Sequence, residues 1–190
     1  CTKTVPVTVM AGKFTWTGNF QWYCWHSMIA FRFHCLVSSL TGKDFNDLSL
    51  LKKIGMKKGF TFNEDQWRQL GWLWYEPLAK LARIEPRLKA TLASLKQMGL
   101  KLGIVSNTFI SAGSLDRHMA QFGILDFFPI RLYSHQFAFR KPDIRIFQTA
   151  ARQIGEPPQD VLFVGDRINK DIIPALKVGM QAALKEAYTN

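Results

Sequence analysis

From Glu85 to Leu184 short apolar runs alternate with amphipathic stretches that stop on glycine, and this rhythm limits the fold more than any other feature. Pro86 suits the first turn of a helix, where a missing N–H loses nothing. Leu88, Leu92 and Leu95 then recur at three- and four-residue steps, and Gly99 closes the helix. Leu100–Val105 reads as a strand. Ser111–Phe122 reads as a helix with Leu115, Met119 and Phe122 on one face and Gly123 as its stop. Ile130–Tyr133 is a strand. Asp143–Ile154 is a helix with Ile144, Phe147, Ala151 and Ile154 inward and Gly155 at its end. Val161–Val164 is a strand, Lys170–Val178 a helix ended by Gly179, and Gln181–Leu184 a last strand. Strands alternating with helices through such short connections predict a parallel sheet covered on both faces. Ligand sites in such sheets lie beyond the carboxyl ends of the strands.

Ahead of this region, residues 44–84 read as a small helical unit. Trp67, Leu70, Trp74 and Leu78 mark one apolar helical face, and Pro77 kinks or ends that run. These aromatics fit packing, or a lid that shapes substrate access; the two are compatible. Residues 1–43 differ sharply in composition: no Asp or Glu, eight aromatics and all three cysteines. An unusual extension, a non-native segment from a wrong start or reading frame, and a degraded motif each explain the shift. Cys1 is not an initiator Met, so we expect this not to be a complete natural N-terminus. An odd cysteine count in no familiar disulfide spacing points to a reducing, cytoplasmic setting. Cys24, His26, His34 and Cys35 match no common zinc spacing, and the plainer reading is an aromatic-rich segment.

Residues 27–40 come closest to a membrane span, but Arg32 and His34 interrupt them and no cleavage pattern follows. We therefore expect neither a span nor a signal peptide. The net charge of +11 is spread over residues such as Lys52, Lys53, Lys57, Lys58, Lys80, Arg83, Arg87, Lys89 and Lys96, which fall mainly on polar helix positions. No nucleic-acid partner is expected, since no reading motif accompanies the charge. A basic surface also suits a small phosphorylated substrate. No Gly-rich loop ending in Gly-Lys-Ser/Thr is present, so nucleoside triphosphate hydrolysis is not suggested.

Three segments of the second half interrupt apolar runs with groups suited to phosphate or a hard cation. In Ile104-Val105-Ser106-Asn107-Thr108, a hydroxyl, an amide and free N–H groups follow a strand. Ordinary turn chemistry also fits. In Arg140-Lys141-Pro142-Asp143, the proline stiffens the approach of an ammonium able to neutralise phosphate charge, or Lys141 is a surface lysine before a helix. In Val164-Gly165-Asp166-Arg167-Ile168-Asn169-Lys170-Asp171, two carboxylates five residues apart either converge on Mg²⁺ or cap a turn and a helix.

In order and context these segments resemble three of the four motifs of the haloacid dehalogenase-like (HAD) hydrolases. Ser106 matches the second motif, Lys141 the third, and Asp166 with Asp171 the fourth. The likeness extends over about residues 85–185, through KLGIVSNTF, FRKPDIRIF and VLFVGDRINKDIIPALKVGMQAAL. It implies an α/β, Rossmann-like parallel sheet flanked by helices (residues 85–190) with a small helical cap at 44–84. It implies a Mg²⁺-dependent phosphatase acting on a small phosphorylated metabolite through an aspartyl-phosphate. Lys141 and Asp166 would be catalytic, Ser106 and Asn107 would bind substrate, and Asp166 and Asp171 would hold the metal.

The family's first motif, Asp-x-Asp-x-Thr after an apolar strand, has no counterpart here. No Asp precedes Asp44, and Asp44 with Asp47 has the wrong spacing and follows no convincing strand. Residues 28–37 resemble the remnant of a first strand, with Arg32 where the nucleophile belongs and His34 at the acid/base position. Val5–Met10 is an alternative strand that also lacks a carboxylate. Arg stays protonated and cannot attack phosphorus. We therefore expect impaired turnover; the competing expectation is a catalytically inactive HAD-like domain that binds an anion or a partner.

Overall fold

The computed structural model describes residues 8–10, 13–15 and 20–186. Its first elements, β1 (Thr8–Met10) and β2 (Lys13–Thr15), form an antiparallel pair with Val9 opposite Phe14. Of Val5–Met10, only Thr8–Met10 lies within the described residues, and it pairs with β2. Cys1 lies outside them.

α1 (Phe20–Thr41) contains residues 28–37, so the expected strand remnant is corrected: the segment is helical throughout. No Gly or Pro interrupts its 22 residues, and a helix satisfies its own backbone groups without a neighbouring strand. Gly42, at φ +69°, follows its end. α2 (Asp47–Lys57) begins at Asn46, whose side chain accepts from the Ser49 N–H at 2.9 Å. α3 (Glu64–Ala79) begins with a capping box: Asn63 accepts from the Gln66 N–H and Gln66 from the Asn63 N–H, each at 2.9 Å. Pro77 does not stop α3, which runs on to Ala79, because a proline in the last turn forfeits little helix beyond it. Tyr23, Leu51, Phe60, Trp67 and Leu70 give α1–α3 a common core. Leu78, expected inward, lies in the last turn past that core and is exposed, whereas Trp72 is buried.

The second half is α/β and Rossmann-like. α4 (Leu88–Gln97), β3 (Gly103–Ser106), α5 (Ala112–Gln121) and β4 (Ile130–Tyr133) are followed by α6 (Ile144–Ile154) and β5 (Leu162–Gly165). A π-helical turn, Ile168–Ile172, leads into α7 (Ile173–Lys177) and β6 (Gln181–Leu184). The helix expected at 170–178 therefore starts earlier and changes winding: the Arg167 carbonyl accepts from the N–H groups of Lys170, Asp171 and Ile172. β3 and β4 are parallel with Ser106 opposite Tyr133, and β5 and β6 are parallel with Gly165 opposite Leu184. Among the described residues no strand is bonded between β3 and β5, so the sheet is two pairs, not one continuous ladder.

One core joins the pairs. Leu132, Ile146, Phe147, Ala151, Ala175 and Met180 form it, with Val105 of β3 and Phe163 of β5 packed against it. Asp143 caps α6 by accepting from the Arg145 N–H at 2.9 Å, and the helix phase set by this start turns Ile146 inward and leaves Ile144 exposed, opposite to the expectation for Ile144. Coverage of both sheet faces fails on β5, where Leu162 is 58% and Val164 57% exposed on the side away from Phe163. No helix among the described residues is long and apolar enough to cross a membrane.

Candidate active site

The carboxyl ends of β3 and β5 meet through one lysine. Asn107, directly after β3, grips the Lys141 main chain in both directions. Its Nδ2 donates to the Lys141 carbonyl at 2.8 Å and its Oδ1 accepts from the Lys141 N–H at 2.9 Å. The Lys141–Pro142 peptide is cis. From this fixed base the Lys141 ammonium reaches Asp171, with Nζ to Oδ1 at 2.7 Å and the two side chains only 15% and 3% exposed. The contact is an ion pair without hydrogen-bond alignment at Oδ1. The other Asp171 oxygen accepts from the Arg167 N–H at 3.0 Å. The ammonium also lies 5.6 Å from the Phe163 ring centre. Gly165 leaves the room Asp171 needs: a Cβ there would stand 2.4 Å from the Asp171 Cβ.

The structure thus brings Asn107, Lys141 and Asp171 together. Ser106 sits half-buried at the β3 tip next to the clamp, and Asp166 is exposed at the β5 tip. The Asn107 carboxamide, expected at the substrate, is engaged with the lysine main chain and acts here as a positioning group.

A second polar cluster escaped the sequence reasoning. Arg140 donates to Asp44 at 2.6 Å, to the Ser38 hydroxyl at 2.9 Å and to the Ser38 carbonyl at 3.0 Å. Ser38 donates to Asp44 at 2.6 Å, and Ser134 donates to its other oxygen. Burial alone would raise the Asp44 pKa, but bonds from Ser134 and Ser38 and the Arg140 guanidinium outweigh it and hold the carboxyl below its ordinary range. The one sequence signal for this cluster is Arg140 beside Lys141 in FRKPD.

Asp47 is buried too. Its Oδ1 accepts from the Leu48 N–H at 2.6 Å and the Ser111 N–H at 2.8 Å, at the start of α5. Burial dominates over these bonds and pushes its pKa up to about 6. Nearby, a cleft of about 730 Å³ lies between the α2–α3 unit and α5, lined by residues that include Trp72, Ser111, Arg117 and His135. The Arg117 guanidinium stacks 4.2 Å from the Trp72 ring centre. The cleft uses loops after β3 and β4, but Lys141, Asp166 and Asp171 are not in its lining. The cleft and the convergent charges around Lys141 are thus separate features of the molecule.

The haloacid dehalogenase-like hydrolase family matches residues 43–179. The chain belongs to this family. It is 38% identical over 104 residues to the glyceraldehyde 3-phosphate phosphatase of Methanothermobacter thermautotrophicus, which covers 55% of this chain and 45% of that protein. It is 32% identical over 165 residues to a phosphoglycolate phosphatase of Pasteurella multocida, covering 87% of this chain and 64% of that protein. Among solved structures, a predicted phosphoglycolate phosphatase from Haemophilus somnus superposes with a TM-score of 0.53 at 27% identity, over 74% of this chain and 64% of that one. The HAD phosphatase from Thermococcus onnurineus gives a TM-score of 0.54 at 22% identity, over 75% and 60% of the two chains, a likeness of fold. The chain spans about half the length of the curated relatives it matches.

Family membership brings an expectation of Mg²⁺, a cation that wants several oxygen ligands. Among the described residues Asp166 and Asp171 are the carboxylates at this rim that would hold it; Asp171 is also paired with Lys141, and no group of three His, Cys, Asp or Glu converges on one point.

Proposed function

We propose that this chain binds the phosphate of a small phosphorylated metabolite at the rim formed by Ser106, Lys141, Asp166 and Asp171, and that its turnover as a phosphatase is impaired. The fixed Lys141 ammonium is the observation that carries this reading. Asn107 fixes the Lys141 main chain, and the ammonium, paired with Asp171 and beside Phe163, is placed to share its charge with a phosphate at the rim without having to reorganise. Ser106, half-buried at the β3 tip, supplies a hydroxyl at the same rim. The relatives' names, which specify glyceraldehyde 3-phosphate and phosphoglycolate, favour a substrate of similar size. A cytoplasmic setting belongs to the same reading, on the odd cysteine count.

Impairment follows from the chemistry of residues 1–43. They hold no side-chain carboxylate, and Arg32, where the resemblance would put the nucleophile, carries a guanidinium, which is no nucleophile for phosphorus, and lies on α1. Asp44 is consumed by Arg140. The same observations favour, as a second reading, an anion-binding HAD-like domain without turnover.

Two measurements test the proposal. Inorganic phosphate binding by calorimetry should weaken at least about tenfold in Lys141→Ala, a loss of about 1.4 kcal/mol; unchanged binding would remove Lys141 from the site. Phosphate release from p-nitrophenyl phosphate with MgCl₂ should stay at background. Robust release that Asp166→Ala abolishes would overturn the impairment and place Asp166 in the catalytic machinery.

A further inference from the structure

We propose that the cleft between the α2–α3 unit and α5 is a second binding site, built for a small carboxylate that carries several hydroxyl groups, as a sugar acid does. The proposal is independent of the phosphate reading, because none of Ser106, Asn107, Lys141, Asp166 and Asp171 lines this cleft.

Its volume of about 730 Å³ is that of a small-molecule pocket. One wall carries Asn46 and Trp72, from the start of α2 and from α3; the other carries Arg117 of α5 with His135 and Gln136, which follow β4.

Arg117 sets the charge of the ligand. Its guanidinium stacks 4.2 Å from the ring centre of Trp72, and that ring is itself buried, so the platform is fixed. Arg117 has no ion-pair or hydrogen-bond partner among the described residues. A guanidinium held by its face keeps its N–H groups at its edge, and this planar fork takes a carboxylate through two parallel bonds. The other charged groups of the lining, Arg68 and Asp65, pair with each other at 2.9 Å. One positive charge is left unbalanced, which matches a carboxylate. A phosphate monoester brings nearly two negative charges.

The neutral groups set the rest. The Asn46 Oδ1 accepts from the Ser49 N–H at 2.9 Å, and the Gln136 Oε1 accepts from the Tyr133 N–H at 3.3 Å. These main-chain donors fix which end of each amide is oxygen. The Asn46 Nδ2 and the Gln136 Nε2 are then left as donors without a partner among the described residues. His135 supplies the opposite function. Its Nδ1 donates to the Thr108 carbonyl at 3.3 Å and burial lowers its pKa, so the ring is neutral and Nε2 is an acceptor. Walls with free donors and one such acceptor suit a ligand of many oxygens that also offers a hydroxyl proton.

The test titrates D-gluconate into the full chain by calorimetry, beside glucose, which lacks the carboxylate, and hexanoate, which lacks the hydroxyls. Gluconate should bind, and each control should bind at least about tenfold more weakly for want of one set of bonds. Arg117→Lys keeps the charge without the fork and should lose about tenfold. Gln136→Glu keeps an oxygen for the Tyr133 N–H, sets a carboxylate in the wall, and should also lose about tenfold. Both side chains are exposed, so neither change threatens the fold. Lys141→Ala should bind gluconate as the parent does. Four results would overturn the proposal: no heat up to about 20 mM gluconate, equal binding of either control, parent-like affinity in Arg117→Lys or Gln136→Glu, or loss of gluconate binding in Lys141→Ala. The last would put gluconate at the rim. Inorganic phosphate titrated into the same samples separates failure of the cleft from failure of the rim site.

Discussion

Arg140 and Asp44 meet at 2.6 Å across 96 positions of sequence, fastening the end of α1 to the loop that carries Lys141. Asp44 is almost fully enclosed, so removing the guanidinium strands a buried charge. Arg140→Ala should lose about 3 kcal/mol in urea unfolding, the range for breaking one side of a buried pair. A loss under about 1 kcal/mol would show the pair to be solvated and unimportant. In the unsubstituted chain the Asp44 pKa is lowered by folding, so its contribution is full above the unfolded value near 3.8 and fades as pH falls through the lower folded value.

Asp47 has the opposite sign. Its folded pKa, about 6, lies above the unfolded 3.8, so stability from this group declines as pH rises between those values and stays reduced above them. Asp47→Asn keeps an oxygen for the Leu48 and Ser111 N–H groups and removes the charge. It should match the parent near pH 4 and exceed it at pH 7.5, by on the order of 3 kcal/mol at most. Urea midpoints across that window check this; a less stable Asp47→Asn at pH 7.5 would mean that the charge supports the start of α5.

Asn107 holds Lys141 with one donor and one acceptor. Asn107→Asp keeps the acceptor but sets a carboxylate oxygen against the Lys141 carbonyl. The variant should lose about 2 kcal/mol at neutral pH, from one lost bond and one unpaired buried oxygen, and regain part of it in acid. Faster amide exchange at Lys141 would accompany the loss; parent-like exchange would argue against the clamp.

Gly165→Ala pushes a methyl group to 2.4 Å from the Asp171 Cβ and 2.7 Å from its Cγ. Asp171 must shift, and with it the ion pair to Lys141. Overpacking of this kind costs about 1–3 kcal/mol, or a Tm lower by roughly 2–12 °C for a chain of this size. Phosphate binding should weaken in the same variant, and an unchanged affinity would uncouple Asp171 from the rim.

The sequence made the alternation from Glu85 onward legible because glycine stops and three-to-four-residue apolar spacing are local signals. Gly99, Gly123, Gly155 and Gly179 all take the positive φ that such stops require. The Lys141–Asp171 meeting was legible only through motif order, since 30 residues of chain separate them. Residues 28–37 misled because a short apolar run suits a strand or a buried helix equally, and the length of the whole Phe20–Thr41 stretch decides for helix. The tie between Arg140 and Asp44 left no periodic trace at all, because charge partners so far apart are chosen by the fold and not by spacing. The division of the sheet was hidden for the same reason: each strand looks normal alone.

Ile146, Phe147 and Ala151 place α6 over strands from both pairs. A keel shared by two planks that do not touch makes neither plank seaworthy by itself. Heat should therefore bring the β3–β4 and β5–β6 halves down in a single calorimetric transition, although no ladder of backbone bonds runs between them.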